Sequence, residues 1–242
     1  MMKKILFTVF LVLAVSVLLS ADVYIKSNTH TDAFAMMGKD QPAKDEITEQ
    51  WVGNNQLVNK TADKIMIMDM NKNVMFIVNP KEKSYVETTL PLDMSKLMPK
   101  EMAPMMAMMK LTVKVTPNGQ TQKINKWNCS GYDVDMNMSM MQMKMKVWAT
   151  TDVPFDWKVF AKMYANVSKM SFMDDASIAE FLKINGYQVA SEMTMNMMGT
   201  NMKVTTQVLE IAKKDAPAGI YAVPPGFTKK DNLSLQDLRG GK

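Results

Sequence analysis

Cysteine, histidine and arginine are almost missing from this chain of 242 residues, which carries one of each: Cys129, His30 and Arg239. A lone cysteine closes no internal disulfide, and its expected role is that of a small buried apolar residue in a strand. Without pairs of His or Cys at ligand spacing, a conventional zinc site is ruled out, and no metal or other cofactor is expected. His30 has no serine elbow or cysteine near it in sequence, so it reads as a structural or exposed residue and not a catalytic one. Glycine-rich phosphate loops are absent too. The carboxylates Asp133, Asp135, Asp174 and Asp175 fall in polar turn or strand positions and propose no acid–base dyad. The chain reads as a non-enzyme.

Scarce arginine also bears on partners. The formal charge of +5 comes almost wholly from scattered lysines. Nucleic-acid binding asks for a basic stripe with arginines and stacking aromatics, so no nucleic-acid partner is expected. The mild positive excess permits transient contact with an anionic membrane surface.

One long apolar run exists, Ile5 to Leu19, behind Met1-Met2-Lys3-Lys4 and ahead of Ser20-Ala21-Asp22. A membrane-spanning helix needs about 20 apolar residues. The run is shorter and ends in small residues followed by charge, as in a secretory signal cut after Ala21, while Leu19, three residues before the cut and not small, leaves retention as a membrane anchor as the alternative. No cysteine follows it, which excludes a bacterial lipoprotein. The reading is therefore a signal over residues 1–21, one domain over 22–230 and a flexible polar tail over 231–242, with the mature protein monomeric and periplasmic or secreted.

What the chain has in abundance is methionine, 29 residues of it. After a first strand from Asp22 to His30 and a loop from Thr31 to Lys44, short apolar alternations recur at Ile47–Val52, Gln56–Asn59, Lys64–Met70, Val74–Asn79 and Ser84–Thr88. Turn residues separate them, the pattern of an antiparallel meander. Leu111–Thr116 and Thr121–Trp127 read as a hairpin turning at Pro117-Asn118-Gly119. Then, from Val134 to Trp148 and from Val189 to Ile211, methionine falls at every second position and so lines one face of each strand. The alternation changes parity between Met140 and Met141, which predicts a tight turn there. A helix opened by Asp152 and Pro154 is expected to run to about Lys169 with Phe155, Val159, Phe160, Met163, Tyr164 and Val167 on one face. A shorter helix spans Ala176 to Ile184 and stops at Asn185-Gly186.

Between Leu92 and Met109 the period becomes helical. Leu97, Met98, Met102, Met105, Met106 and Met109 form a stripe that Pro99 and Pro104 interrupt, a candidate movable cover. For the methionine strands three readings stand side by side. They are plain core filler, a pliable surface that adapts to apolar ligands, or a thioether cluster for Cu(I) or Ag(I). The candidate ligand-binding residues are Met136, Met138, Met143, Met145, Met193 and Met195.

The segments Gly119-Gln120-Thr121-Gln122-Lys123-Ile124, Trp127-Asn128-Cys129-Ser130-Gly131-Tyr132 and Val147-Trp148-Ala149-Thr150-Thr151-Asp152 resemble an exported bacterial family, domain of unknown function 4412. Phe76 to Val86 is similar to that family's strand-turn-strand, and Ile220-Tyr221-Ala222-Val223-Pro224-Pro225-Gly226-Phe227 to its closing motif. The resemblance covers most of the mature chain and brings no catalytic residues with it. It implies an α+β, mainly β fold similar to the periplasmic lipoprotein carriers LolA and LolB: a curved antiparallel sheet, a half-open barrel, with helices covering the concave face. Sequence and resemblance together lead to the expectation of non-catalytic binding or carriage of a lipid, acyl chain or lipidated protein.

Overall fold

A computed structural model describes residues 22–36, 39–90, 111–138, 141–168, 173–197, 200–231, 233 and 237. The expected signal, the candidate cover from Leu97 to Met109 and nearly all of the expected tail lie outside the described residues.

Among the described residues fourteen strands and two helices follow in chain order. They are β1 (Asp22–Thr31), β2 (Phe34–Met36), β3 (Lys39–Gln41), β4 (Lys44–Val52), β5 (Gln56–Lys60), β6 (Ile65–Asp69), β7 (Val74–Asn79), β8 (Ser84–Thr89), β9 (Leu111–Ile124), β10 (Trp127–Met138), β11 (Met141–Thr150), α1 (Trp157–Ser168), α2 (Asp175–Phe181), β12 (Tyr187–Met197), β13 (Thr200–Lys214) and β14 (Thr228–Lys230). Twelve of the strands form one curved sheet in the order β14-β8-β7-β6-β5-β4-β1-β13-β12-β11-β10-β9, and β2 and β3 pair separately. The sheet is not closed into a barrel, since β9 and β14 stand at its two edges.

This order follows from short connections. Two meanders, β4 to β8 and β9 to β13, are each zipped between sequence neighbours, and β1 joins them by pairing antiparallel with β4 on one side and β13 on the other. Side-chain oxygens fix two of the turns. Asp69 accepts from the amides of Asn71 and Lys72, at 3.0 and 3.1 Å. Asn79 does the same for Lys81 and Glu82, both at 3.1 Å. These are Asx turns, and the left-handed residues that complete them are Asn73 and Lys83.

Near its start, at Val23, Tyr24 and Ile25, β1 is buried on both faces. Val23 and Ile25 join Trp127, Cys129, Val189, Val208 and Ile211 in one cluster, against which Phe160 of α1 packs. Tyr24 points the other way, into Trp51, Val58, Ile67 and Val78. That reverse face is covered by the C-terminal stretch through Ala216, Ile220, Tyr221, Val223 and Phe227. Having crossed the sheet, the stretch ends in β14, which adds in parallel to β8.

Several expectations from sequence are corrected. The presumed loop from Thr31 to Lys44 contains the β2–β3 hairpin. Pro117-Asn118-Gly119 is no hairpin turn: β9 runs straight through it, and the register against β10 slips between Ser130 and Tyr132. Asn118 Oδ1 accepts the Gln120 amide at 3.0 Å, so the turn residues make a local kink inside the strand and the reversal falls at Asn125 instead. α1 begins at Trp157 and not at Pro154, because Asp156 caps the amides of Lys158 and Val159 at 2.9 and 3.4 Å. Val159 faces solvent, 63 % exposed, and does not join the apolar face.

Candidate functional site

The methionine strands are assembled side by side. Met138 stands opposite Met141, and Met136 opposite Met143, in the β10–β11 pair. Across the next two pairs Met143 faces Met195, Met145 faces Met193, and Met195 faces Met202. Directly opposed residues share a sheet face, with Cβ atoms about 4.5–5.5 Å apart. One transverse row is thus Met136, Met143, Met195 and Met202 on four consecutive strands. All six residues expected to bind a ligand, Met136, Met138, Met143, Met145, Met193 and Met195, are brought onto this one face. Met136 is buried, the other five are half-buried, and Met138, Met143, Met145 and Met193 pack against a cluster built on Val115, Val134 and Val147.

The same face carries a cavity of about 420 Å³, further along the strands. Its floor is Ser27 of β1, Gln188 of β12 and Thr206 and Val208 of β13. One wall comes from α1 with Trp157, Phe160 and Ala161, and the other from α2 and its continuation with Ile178, Phe181, Leu182 and Ile184. Thr206 and Met193 lie on one face because Met193 opposes Val204, two residues before Thr206. Among the described residues that line the cavity Met173 is the one methionine, which the alternation pattern did not single out, and none of the six candidate methionines lies in its lining.

Local sequence explains how the walls are held. Asp174 caps α2 by accepting from the Ser177 amide at 2.8 Å. Ser177 in turn donates its hydroxyl to the Leu111 carbonyl at 2.9 Å. Glu180 accepts the Val115 amide at 3.0 Å and pairs with Lys183, and the Asn185 amide donates to the Tyr132 hydroxyl at 3.1 Å. These three ties, two to β9 and one to β10, fix α2 so that Ile178, Phe181 and Leu182 face the cavity. Lys183, followed by the Val115 amide, holds the Glu180 carboxyl below its ordinary range. On the α1 side a trio of rings, Phe155, Phe160 and Tyr187, meets at centroid distances of 5.1 to 5.4 Å and closes that end. Gly186, at φ +128°, lets the chain pass from α2 into β12 in contact with the backbone of Thr150.

Among the described residues lining the cavity there is no carboxylate, amine or imidazole. Cys129 is buried, donates to the Trp127 carbonyl at 3.6 Å, and has its thiol pKa pushed up by burial, as a structural cysteine should. His30 lies on the surface between Asp45, 3.0 Å from Nδ1, and Asp32, 3.3 Å from Nε2. No group of three or more His, Cys, Asp or Glu side chains among the described residues could hold a metal ion.

Fold and site together define a mainly β protein with one curved, unclosed sheet and an apolar cavity between that sheet and two short helices. The chain belongs to the family described as Domain of unknown function (DUF4412), whose model matches residues 26–227. That span takes in each of the segments from Phe76, Gly119, Trp127, Val147 and Ile220 on which the resemblance rested. No curated protein matches the chain.

Sequence reasoning found the methionine face because period-2 alternation is written directly in it. It missed the cavity, whose lining comes from five separated elements with one or two residues from most of them. The one local signal was the small residue Ala161 among the large apolar residues of α1.

Proposed function

We propose that this protein binds an apolar ligand, a lipid or acyl chain or the lipid of a lipidated protein, without chemical conversion. The observation that carries the reading is the apolar cavity. At about 420 Å³ it falls within the range of about 300–1,000 Å³ typical of small-molecule sites. Its lining combines large apolar side chains with a few neutral polar groups, Ser27, Gln188 and Thr206, that could orient one end of a ligand. On this reading the curved sheet is of the lipoprotein-carrier kind, with the helices across its concave face. The methionine face extends the cavity's apolar surface. The leader sequence fits a protein exported to the periplasm or beyond, where a carrier of apolar cargo has membranes on either side.

Titration with a naphthylamine dye whose emission rises in apolar surroundings tests this. Wild type is expected to bind one dye per chain. Ala161→Phe, which fills the cavity from α1, is expected to weaken binding at least tenfold while the far-UV spectrum is retained. Met193→Lys with Met195→Lys is expected to weaken it as well, by charging the adjoining face. Dye binding by Ala161→Phe equal to wild type would overturn the assignment of the cavity.

A further inference from the structure

We propose that Met136, Met143 and Met195 form a binding site for a soft monovalent cation, Cu(I), on the methionine face beside the cavity, none of the three belonging to the cavity's own lining. Met143 is central because the register surrounds it with thioethers. Met136 and Met195 oppose it on the two flanking strands, and Met141 and Met145 lie two residues away on its own strand. The opposed Cβ atoms are about 4.5–5.5 Å apart, and the i±2 neighbours are about 6.6–6.8 Å along the strand. Rotation about the Cα–Cβ and Cβ–Cγ bonds sweeps each methionine sulfur over a wide arc, so three sulfurs can converge over Met143 from such spacings without moving the backbone. A twisted sheet holds the three strands in fixed register, which limits the ordering that binding would require.

The chemistry of the neighbours selects the ion. The residues flanking this row on the same face are Val113, Val134, Met138, Met141, Met145 and Met193, and they offer no oxygen or imidazole donors from their side chains. Lys144, Lys146 and Gln142 alternate with the methionines and so point to the opposite face. A neutral, all-thioether set suits Cu(I), and it gives Zn(II), Mg(II) or Ca(II) no hard or borderline ligand. A monovalent ion brings only one charge into half-buried surroundings. Access is open as well, since Met143 and Met195 are half-buried and not sealed in the core.

Core packing alone would use methionine here as it uses Met68 and Met75, which are fully buried in the other half of the sheet. Those two do not stand in a row of methionines across four strands. Met68 opposes Met75, but its other neighbour is Leu57. The transverse row is therefore a feature of β10 to β13 and not of the composition at large.

The test uses the full-length mature protein and two probes. Cu(I) is presented as its coloured bicinchoninate complex, with protein uptake read as loss of that colour. Silver(I), which is redox-stable, is titrated into protein carrying 13C-labelled methionine methyls. One equivalent of Cu(I) is expected to transfer, and one equivalent of Ag(I) to shift the Met136, Met143 and Met195 methyls more than any others. Met143→Leu, which conserves volume and apolarity, is expected to reduce Cu(I) affinity at least tenfold with its melting temperature close to wild type. Met68→Leu is expected to leave affinity unchanged. No transfer from bicinchoninate would overturn the proposal, as would methyl shifts centred elsewhere or affinity unaltered by Met143→Leu. Dye binding measured in the same variants separates this outcome from the cavity reading, since Met143→Leu leaves the cavity lining intact.

Discussion

Replacing Gly186 with alanine tests how the cavity is framed. The glycine sits at φ +128°, a backbone region that residues with a side chain scarcely occupy, and an added Cβ would lie 2.6 Å from both the carbonyl carbon and the oxygen of Thr150. Those atoms belong to backbone and cannot swing away. The dihedral strain costs about 1–3 kcal/mol, and forcing a methyl into filled space costs about 1–3 kcal/mol more. The sum is about 2–6 kcal/mol. For a chain of this size about 2–4 °C of melting temperature is lost per kcal/mol, so a fall on the order of 10 °C is expected. Gly226 supplies the control: it too has positive φ, +80°, but nothing lies within 4 Å of a Cβ there. Gly226→Ala carries only the left-handed penalty, about 1–2 kcal/mol, and is expected to melt only a few degrees below wild type. Scanning calorimetry on both variants decides it. If Gly186→Ala melted no lower than Gly226→Ala, the close passage of the α2–β12 connection over Thr150 would be wrong, and with it the position of the cavity wall.

Two pH predictions follow from named groups. Burial, then Glu49 at 3.2 Å from its hydroxyl, raises the Tyr24 pKa from 10.0 to about 12. The folded state therefore holds the phenol proton more tightly than the unfolded state. Stability from this group is intact below pH 10 and is lost as pH rises toward about 12. Tyr24→Phe should lose less stability across that window and lack one high-pH step in tyrosinate absorbance; matching alkaline profiles would refute this. The Asp69 carboxyl has the opposite sign: the Lys72 amide, with the Gln56 side chain and the Lys72 ammonium, holds it below the ordinary carboxylate value. Its contribution is present above that ordinary value and disappears as pH falls through the lower folded-state value. Asp69→Asn should therefore show a shallower loss of melting temperature between pH 5 and pH 2, and an unchanged slope would contradict the assignment.

Much of the sheet was legible because its signals are local. Val74–Asn79 alternates and ends at Asn79-Pro80, and the strand ends where those residues say it should. The parity change after Met140 marked a hairpin that the pairing of Met138 with Met141 bears out. Cys129 as a buried strand residue followed from composition and holds. Pro117-Asn118-Gly119 misled because the same residues that make a turn also make a kink in a long strand. Which of the two occurs depends on β10, whose Trp127 to Ser130 pair with Ile124 to Thr121. The β2–β3 hairpin, three residues per strand, is too short to have a period. The parallel addition of β14 to β8 joins residues about 140 apart, and no local pattern encodes it. The cavity was hidden for the same reason: Ser27, Ala161 and Thr206 are unremarkable in their own segments and matter only where β1, α1 and β13 meet.

Native mass spectrometry of the protein, purified from its own cells without detergent, tests the central claim most directly. Binding of an apolar ligand predicts a fraction of molecules with added mass that denaturation releases as an acyl lipid, and that fraction should be lost in Ala161→Phe. A bare polypeptide mass in wild type, unchanged after incubation with lipid vesicles, would contradict the account.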